Sequence, residues 1–233
     1  MIKFGEKHAV TIEAESLSQD QIYKVRRRLL EWGRNNFVLY PWRIESDAWL
    51  TFVAELFLQR TQARQVKGVF EEFRSHYPTP TDLLNADIKE VSRLTRKLGL
   101  NFRLAVARDI ATFVVRHNRG VLPEDVNELT KLKGVGTYTA SAWLSLHRGK
   151  RAVLVDSNVA RWLSRLTGNP YNRDPRGVSW LQELAERMTP VRSFKAYNYA
   201  VLDFTMNVCT PRTPDCTRCP IRANCRFGSK FRD

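Results

Sequence analysis

All four cysteines of the 233-residue chain lie within residues 209–225, with the spacing C-x6-C-x2-C-x5-C. Thiols gathered in so short a segment are typical of one ligand set, because cysteines that only pack a core are dispersed along a chain. The set consists of Cys209, Cys216, Cys219 and Cys225. The pattern therefore predicts a metal centre near the end of the chain.

Two kinds of metal centre suit four neighbouring thiolates. A structural zinc site usually takes two C-x2-C pairs separated by a longer finger, and here only Cys216 and Cys219 have that spacing. Four thiolates on one compact loop also suit an iron–sulfur cluster. Disulfides are disfavoured, because the chain opens with Met-Ile-Lys-Phe-Gly-Glu-Lys rather than with an apolar signal peptide. The spacing favours the cluster and leaves zinc open.

A second segment that could have a binding role is Gly-Val-Gly-Thr-Tyr at residues 134–138. The glycines predict the end of one helix, and Thr137 predicts the start of the next. The first N–H groups of a helix are unsatisfied and lie at the positive end of its dipole, so this start can hold a phosphate. A tight turn between packed helices uses glycines for steric reasons alone. The segment by itself leaves both interpretations open.

Asp156 follows the apolar run at residues 152–155 and precedes a predicted helix. Its simplest role is to cap that helix by accepting hydrogen bonds from the first free N–H groups. A carboxylate fixed at such a boundary can also face a cleft with its charge only partly solvated. The two roles are compatible.

The charge balance predicts a polyanionic partner. The chain has 38 basic and 24 acidic residues, a formal net charge of +14 and a pI of about 10.0. With 43% hydrophobic residues it has the composition of a globular protein, and its excess positive charge favours nucleic acid. A membrane surface is the weaker alternative, because no apolar stretch is long enough to span a bilayer. We expect a cytoplasmic monomer.

The elements that must position these residues are predicted to be helices almost throughout. Apolar residues recur at helical spacing in residues 48–57 and again in residues 107–114. Proline and glycine breaks follow at intervals of a helix plus a turn. The run at 152–155 could form a strand, but it stands alone. The sequence predicts an all-α protein of about ten helices.

Together, the turn at residues 134–138, called the hairpin below, Asp156 and the cysteine run resemble the helix-hairpin-helix DNA glycosylases of the endonuclease III group. Three further segments extend the resemblance. Tyr-Pro-Trp-Arg at 40–43 and residues 54–62 are similar to the start of the adenine and mismatch-thymine glycosylase branch, and residues 197–204 are similar to the segment that precedes the cluster cysteines in this family. The resemblance implies a [4Fe–4S] cluster. It also implies two helical domains with a cleft between them: a six-helix barrel at 40–150, and residues 1–39 joined with 151–233.

The resemblance assigns roles to three side chains. Breaking an N-glycosidic bond builds positive charge on the sugar, so Asp156 would stabilise the oxocarbenium-like transition state. Glu55 would supply a proton to the departing base. Tyr138 stands where strand-cutting members of the family have a lysine, and a phenol cannot form a Schiff base. A displaced amine from Lys131 or Lys133 is the alternative. We expect base release that leaves an abasic site.

The resemblance also predicts how double-stranded DNA is held. Gly134, Gly136 and Thr137 would hold a phosphate at the hairpin. By their position at the end of the helix that carries Glu55, Gln59, Arg60 and Gln62 could enter the gap that the flipped base leaves; the alternative is a solvated helix end.

The expected target is thymine or uracil opposite guanine. The chain ends soon after Cys225, without the further domain by which adenine glycosylases read oxidised guanine, and residues 98–103 lack the double tyrosine of those enzymes. Removal of adenine or of an oxidised pyrimidine is the alternative, and a DNA-binding protein without catalysis is the third hypothesis.

Overall fold

A computed structural model describes residues 17–99, 102–117, 119–171, 174–175 and 177–230. Within these ranges the chain forms twelve α-helices and two short 3-10 helices, without strands. The α-helices are α1 Gln19–Asn35, α2 Pro41–Ile44, α3 Ala48–Leu58, α4 Ala63–His76, α5 Pro80–Asn85, α6 Ile88–Arg96, α7 Phe102–His117, α8 Val126–Thr130, α9 Thr137–His147, α10 Ser157–Thr167, α11 Ser179–Met188 and α12 Phe194–Asn207. The predicted all-α fold is confirmed.

Six of the described α-helices begin where a short polar side chain satisfies the first free N–H groups. Ser18 and Thr79 form capping boxes with Gln21 and Asp82 at the starts of α1 and α5. Aspartates cap four further helices, namely Asp47 before α3, Asp87 before α6, Asp125 before α8 and Asp156 before α10. The predicted capping role of Asp156 is therefore observed.

The buried apolar side chains form two large clusters. The first is built from α2 to α9, and its aromatic members include Phe52, Phe70 and Trp143. The second joins α1 with α10, α11, α12 and the cysteine segment, around Trp162 and Phe204. These clusters support the predicted division of the chain near residues 40 and 150, which we put forward as a proposal.

A buried ion pair connects the two clusters. Both terminal nitrogens of Arg43 on α2 donate to the carboxylate of Asp203 on α12, at 2.7 Å each, and both side chains are almost fully buried. The guanidinium also lies 4.5–5.3 Å from the ring centres of Phe37, Tyr40 and Tyr199. Removing one partner of such a pair costs about 3–5 kcal/mol, because the other charge is left buried alone.

Within the described ranges, none of the helices has the length and apolar character needed to cross a bilayer.

The packing of α1 against α12 is predicted to depend on Gly33. A Cβ at this buried position of α1 would lie 2.4 Å from the Cβ of Ala200 on α12. Gly33→Ala should therefore reduce the free energy of unfolding by about 1–3 kcal/mol, as measured by urea denaturation. The control is Gly68→Ala on α4, where nothing lies within 4 Å of an added Cβ. That exposed substitution should stabilise the helix by about 0.5–1 kcal/mol, and equal midpoints for the two variants would contradict the packing argument.

Candidate active site

A cleft with a volume of about 690 Å³ is lined by helices from both clusters. Glu55 on α3 and Tyr138 on α9 come from the first cluster, whereas Asp156 precedes α10 in the second. Arg43 and Tyr199 also lie in its wall. The structure thus brings the three predicted catalytic side chains to one cavity, although they lie far apart in the sequence.

The carboxylate of Asp156 is fixed by the start of α10. Its Oδ1 accepts hydrogen bonds from the backbone N–H groups of Asn158 and Val159, at 2.8 Å each, and its Oδ2 accepts from the Asn158 amide at 3.1 Å. Asp156 is half-buried and lines the cleft. The helix cap therefore also orients the carboxylate toward the site.

A chain of hydrogen bonds continues from Asp156 to the cysteine segment. Arg161 on α10 donates to the side-chain oxygen of Asn158 at 2.9 Å. Its other terminal nitrogen donates to the carbonyl oxygens of Thr205 and Cys209, at 2.9 and 2.8 Å. The position of Asp156 is thereby coupled to that of the first cysteine.

Tyr138 lies in the first turn of α9 with 37% of its surface exposed. Desolvation in the cleft raises the pKa of its phenol well above the usual value, and the negative charges of Asp156 and Glu55 raise it further. The hydroxyl group is therefore protonated at physiological pH and can donate a hydrogen bond.

Glu55 is 7% exposed and has a partner that the sequence did not suggest. Its Oε1 lies 2.9 Å from Nε2 of His147, at the end of α9, and only 2% of the histidine side chain is exposed. A lone histidine in a helix has no local pattern that points to a carboxylate 92 residues away. Only the packing of α3 against α9 shows the pair.

The two glycines of the hairpin have different surroundings. Gly134 has a φ of +83°, and a Cβ there would lie 2.6 Å from a methyl carbon of Val106. Gly136 is the N-cap of α9 with a φ of −88°, and nothing lies within 4 Å of an added Cβ. Gly134 is thus required for the turn and for packing, while Gly136 leaves open space beside the free N–H groups of α9.

The predicted gap-filling residues also differ from one another. The side-chain amide of Gln59 donates to the carbonyl oxygen of Gly134 at 3.2 Å and to the hydroxyl of Thr139 at 3.1 Å, so it braces the hairpin. Arg60 is exposed and has a φ of +54°, a left-handed conformation that is rare for arginine. Gln62 is also exposed. All three line the cleft.

The lysines near the hairpin are not part of the cleft wall. Nζ of Lys131 lies 2.6 Å from a carboxylate oxygen of Glu128, and both side chains are mostly exposed. Lys133 is exposed on the turn itself. Among the described residues, no lysine lines the cleft.

The four cysteine thiols line a second, small cavity of about 20 Å³ between α10 and the cysteine segment. Across the described ranges, no three His, Cys, Asp or Glu side chains are grouped so that they could hold one metal ion. A zinc ion needs four ligand atoms at about 2.0–2.3 Å from one centre, whereas a cube-shaped cluster takes its thiolates at separate corners. Four thiols around one cavity have the donor chemistry that a metal centre requires.

The surroundings of the thiols would oppose ionisation without a cation. Burial, together with the other thiol groups, raises the pKa of Cys219 to about 12, and burial also raises the pKa of Cys216 and Cys225. Arg165 on α10 holds the same segment, with a terminal nitrogen 3.5 Å from the sulfur of Cys209. Metal binding would supply the positive charge that thiolates need.

The comparisons with known proteins place the chain in a family. The model for the HhH-GPD superfamily base excision DNA repair protein matches residues 53–187. The chain is 33% identical to a thymine/uracil-DNA glycosylase of Pyrobaculum aerophilum, over 89% of this chain and 93% of that protein. It is 35% identical to a thymine-DNA glycosylase of Aeropyrum pernix, over 91% and 97%.

Adenine DNA glycosylases are also among the relatives. That of Homo sapiens is 31% identical over 88% of this chain, which spans 40% of the human protein. Among solved structures, that of a thermostable thymine-DNA glycosylase matches with a TM-score of 0.84 and 28% identity, covering 91% of this chain and 98% of that chain. The chain therefore belongs to the HhH-GPD superfamily of base excision DNA repair proteins.

Proposed function

We propose that this protein is a DNA glycosylase that hydrolyses the N-glycosidic bond of thymine or uracil opposite guanine and leaves an abasic site. The observation that carries the proposal is the cleft that holds Glu55, Tyr138 and Asp156 together, with tyrosine in place of a nucleophilic amine. The names of the two archaeal relatives support the choice of base.

Asp156 is proposed to stabilise the positive charge that develops on the sugar. Its two oxygens are held by N–H groups of Asn158 and Val159, so the carboxylate needs little reorganisation as the charge appears. A fixed carboxylate on one face of the sugar is the arrangement that glycoside hydrolysis uses for an oxocarbenium-like transition state. Water then attacks the sugar carbon, and the bond to the base breaks.

Glu55 is proposed to stabilise the departing base on the other side of the bond. The base leaves with negative charge, and a proton or a hydrogen bond from a carboxyl group lowers that barrier. Glu55 lines the cleft while most of its side chain is buried, so it can reach a base that has been flipped into the cavity.

Tyr138 supports hydrolysis without strand cleavage. An imine with the sugar requires an amine, which a phenol cannot supply, and no lysine belongs to the described wall of the cleft. Because its pKa is raised, the hydroxyl remains a hydrogen-bond donor at neutral pH. It is proposed to position the sugar or its phosphate.

DNA is proposed to bind across the hairpin and the loop at residues 59–62. The free N–H groups at the start of α9 can hold a phosphate beside Gly136, and the net charge of +14 favours the duplex. Since Gln59 is engaged with the hairpin, exposed Arg60 is proposed to fill the gap of the flipped base. A mismatched base is already weakly paired, so flipping it requires less free energy.

The second candidate function is removal of adenine opposite guanine or oxidised guanine. It is favoured by the adenine glycosylases among the relatives. The thymine and uracil glycosylases support the first candidate over it, because this chain covers 93% and 97% of their length but only 40% of the human adenine glycosylase.

The four cysteines are proposed to hold a [4Fe–4S] cluster. When bound, such a cluster would cross-link the segment at residues 209–225 through iron–thiolate bonds. Arg161 and Arg165 anchor the same segment to α10 through its carbonyl oxygens. The proposed role of the cluster is structural, because hydrolysis of the N-glycosidic bond involves no change of redox state.

Base release from defined duplexes tests the proposed function. The purified protein should release the base from G·T and G·U pairs, with little release from adenine opposite oxidised guanine or from an oxidised pyrimidine. The DNA strand should break only after alkali. Strand cleavage without alkali would contradict the argument from Tyr138, and preferred release of adenine would support the second candidate.

Asp156→Asn should lower the single-turnover rate of base release by about 10²–10³-fold, because it removes the charge but keeps a side chain that can cap α10. Binding of the duplex should change little. The matched control is Asp125→Asn, since Asp125 caps α8 through the same kind of hydrogen bonds. If Asp156→Asn releases the base as fast as the control, the charge stabiliser lies elsewhere.

Metal analysis tests the proposed cluster. The purified protein should be brown and contain about four iron and four sulfide ions per chain. Cys216→Ser should reduce the iron content and the melting temperature together. One zinc ion per chain without sulfide would overturn the cluster.

Alanine substitutions at the two hairpin glycines should affect different properties, stability at Gly134 and DNA binding at Gly136. Gly134→Ala should reduce the free energy of unfolding by about 1–3 kcal/mol, because it adds both a strained φ and a contact with Val106. Gly136→Ala should change it by less than about 1 kcal/mol, yet weaken binding to duplex DNA, as measured by fluorescence anisotropy. Unchanged affinity of Gly136→Ala would argue against a phosphate at this position.

A further inference from the structure

The hydrogen bond between Glu55 and His147 has no assigned role in the proposed reaction. Nε2 of the histidine lies 2.9 Å from Oε1 of the glutamate, and 2% and 8% of the two side chains are exposed. Glu55 lines the cleft, whereas His147 is not part of its wall. The histidine therefore contacts the carboxyl group from the protein side.

We propose that His147 is a positioning residue that fixes the carboxyl group of Glu55 for the departing base. This inference rests on the proposed function and deepens it. Oε1 is held by the imidazole ring, which leaves Oε2 as the oxygen that meets the base. The ring touches neither the base nor the sugar and acts only through Glu55.

The pairing of α3 with α9 shows how the position is set. Nε1 of Trp143 donates to the hydroxyl of Thr51 at 3.1 Å, four residues before the Glu55–His147 contact on both helices. Both contacts join residues that are 92 positions apart. The two contacts hold α3 against α9, and Gln59 at the end of α3 donates a hydrogen bond to Thr139 in the first turn of α9. The carboxyl group of Glu55 is thereby held relative to Tyr138 at the start of α9.

Burial explains why the carboxyl group needs this partner. Glu55 lies among apolar residues of the first cluster, where a carboxyl group without a hydrogen bond is unfavourable. Without the histidine, the flexible side chain would turn toward water in the cleft and lose its single orientation. The other ionisable groups of the cleft wall are Arg43, Arg60, Tyr138, Asp156 and Tyr199.

A spectroscopic measurement tests the pair without relying on activity. The ring ¹⁵N signals of His147 are assigned by their loss in His147→Gln and compared between the wild type and Glu55→Gln. Glu55→Gln should shift the Nε2 signal of His147 and leave those of exposed His76 and His117 unchanged. An unchanged His147 signal would overturn the pairing in solution.

Single-turnover kinetics test whether His147 positions Glu55, the proposed proton donor. His147→Leu should lower the single-turnover rate of base release by about ten- to a hundredfold, while the affinity for duplex DNA stays within about twofold, since the ring lies outside the cleft. His147→Gln can still donate a hydrogen bond and should recover most of the rate. The matched control is His117→Leu, an exposed position on α7. Wild-type rates in His147→Leu would overturn the proposal.

A double-mutant cycle separates positioning from a merely structural role. In a Glu55→Gln background, His147→Leu should cause no further loss of rate, because its effect passes through the carboxyl group. If His147→Leu lowers the rate by the same factor in the wild type and in Glu55→Gln, or lowers the DNA affinity along with the rate, its role is structural and the proposal is overturned. If the wild type releases no base from any duplex, the proposed function fails, while the ¹⁵N measurement still decides whether the pair forms.

Discussion

The buried ion pair between Arg43 and Asp203 is the interaction on which the candidate site most depends. It joins α2 of the first cluster to α12 of the second beside the cleft, and three aromatic rings surround it. Glu55 belongs to the first cluster, whereas Asp156 precedes a helix of the second. Any movement between the clusters would change the distance between these two carboxyl groups, so the pair fixes the geometry that the proposed reaction requires.

The helix α10 extends this constraint to the cysteine segment. Asp156 caps its first turn, and Arg161 and Arg165 in the following turns bind carbonyl oxygens of residues 205–211. A group that orders the cysteines would therefore also order the helix that carries the proposed charge stabiliser. The proposed cluster would thus have a structural effect on the site without any redox chemistry.

Much of the fold followed from local pattern. The apolar stripe at residues 48–57 corresponds to α3, and the stripe at 107–114 lies within α7. The Gly-Val-Gly turn and the aspartate cap occur at the predicted boundaries, because turn and cap chemistry depends on adjacent residues. The run at 152–155, which could have formed a strand, remains unpaired in the described chain. Such features depend only on residues a few positions apart.

The sequence by itself predicted the helices and the family, and it supplied the hypotheses that the four cysteines are one ligand set and that Tyr138 stands in place of an amine. Only the tertiary structure decided which side chains meet: Glu55 with His147, Arg43 with Asp203, and Gln59 with the hairpin. These partners lie 92, 160 and 75 residues apart. Helical periodicity specifies which face of a helix is buried, but the partner of a buried polar group is set by how the helices pack.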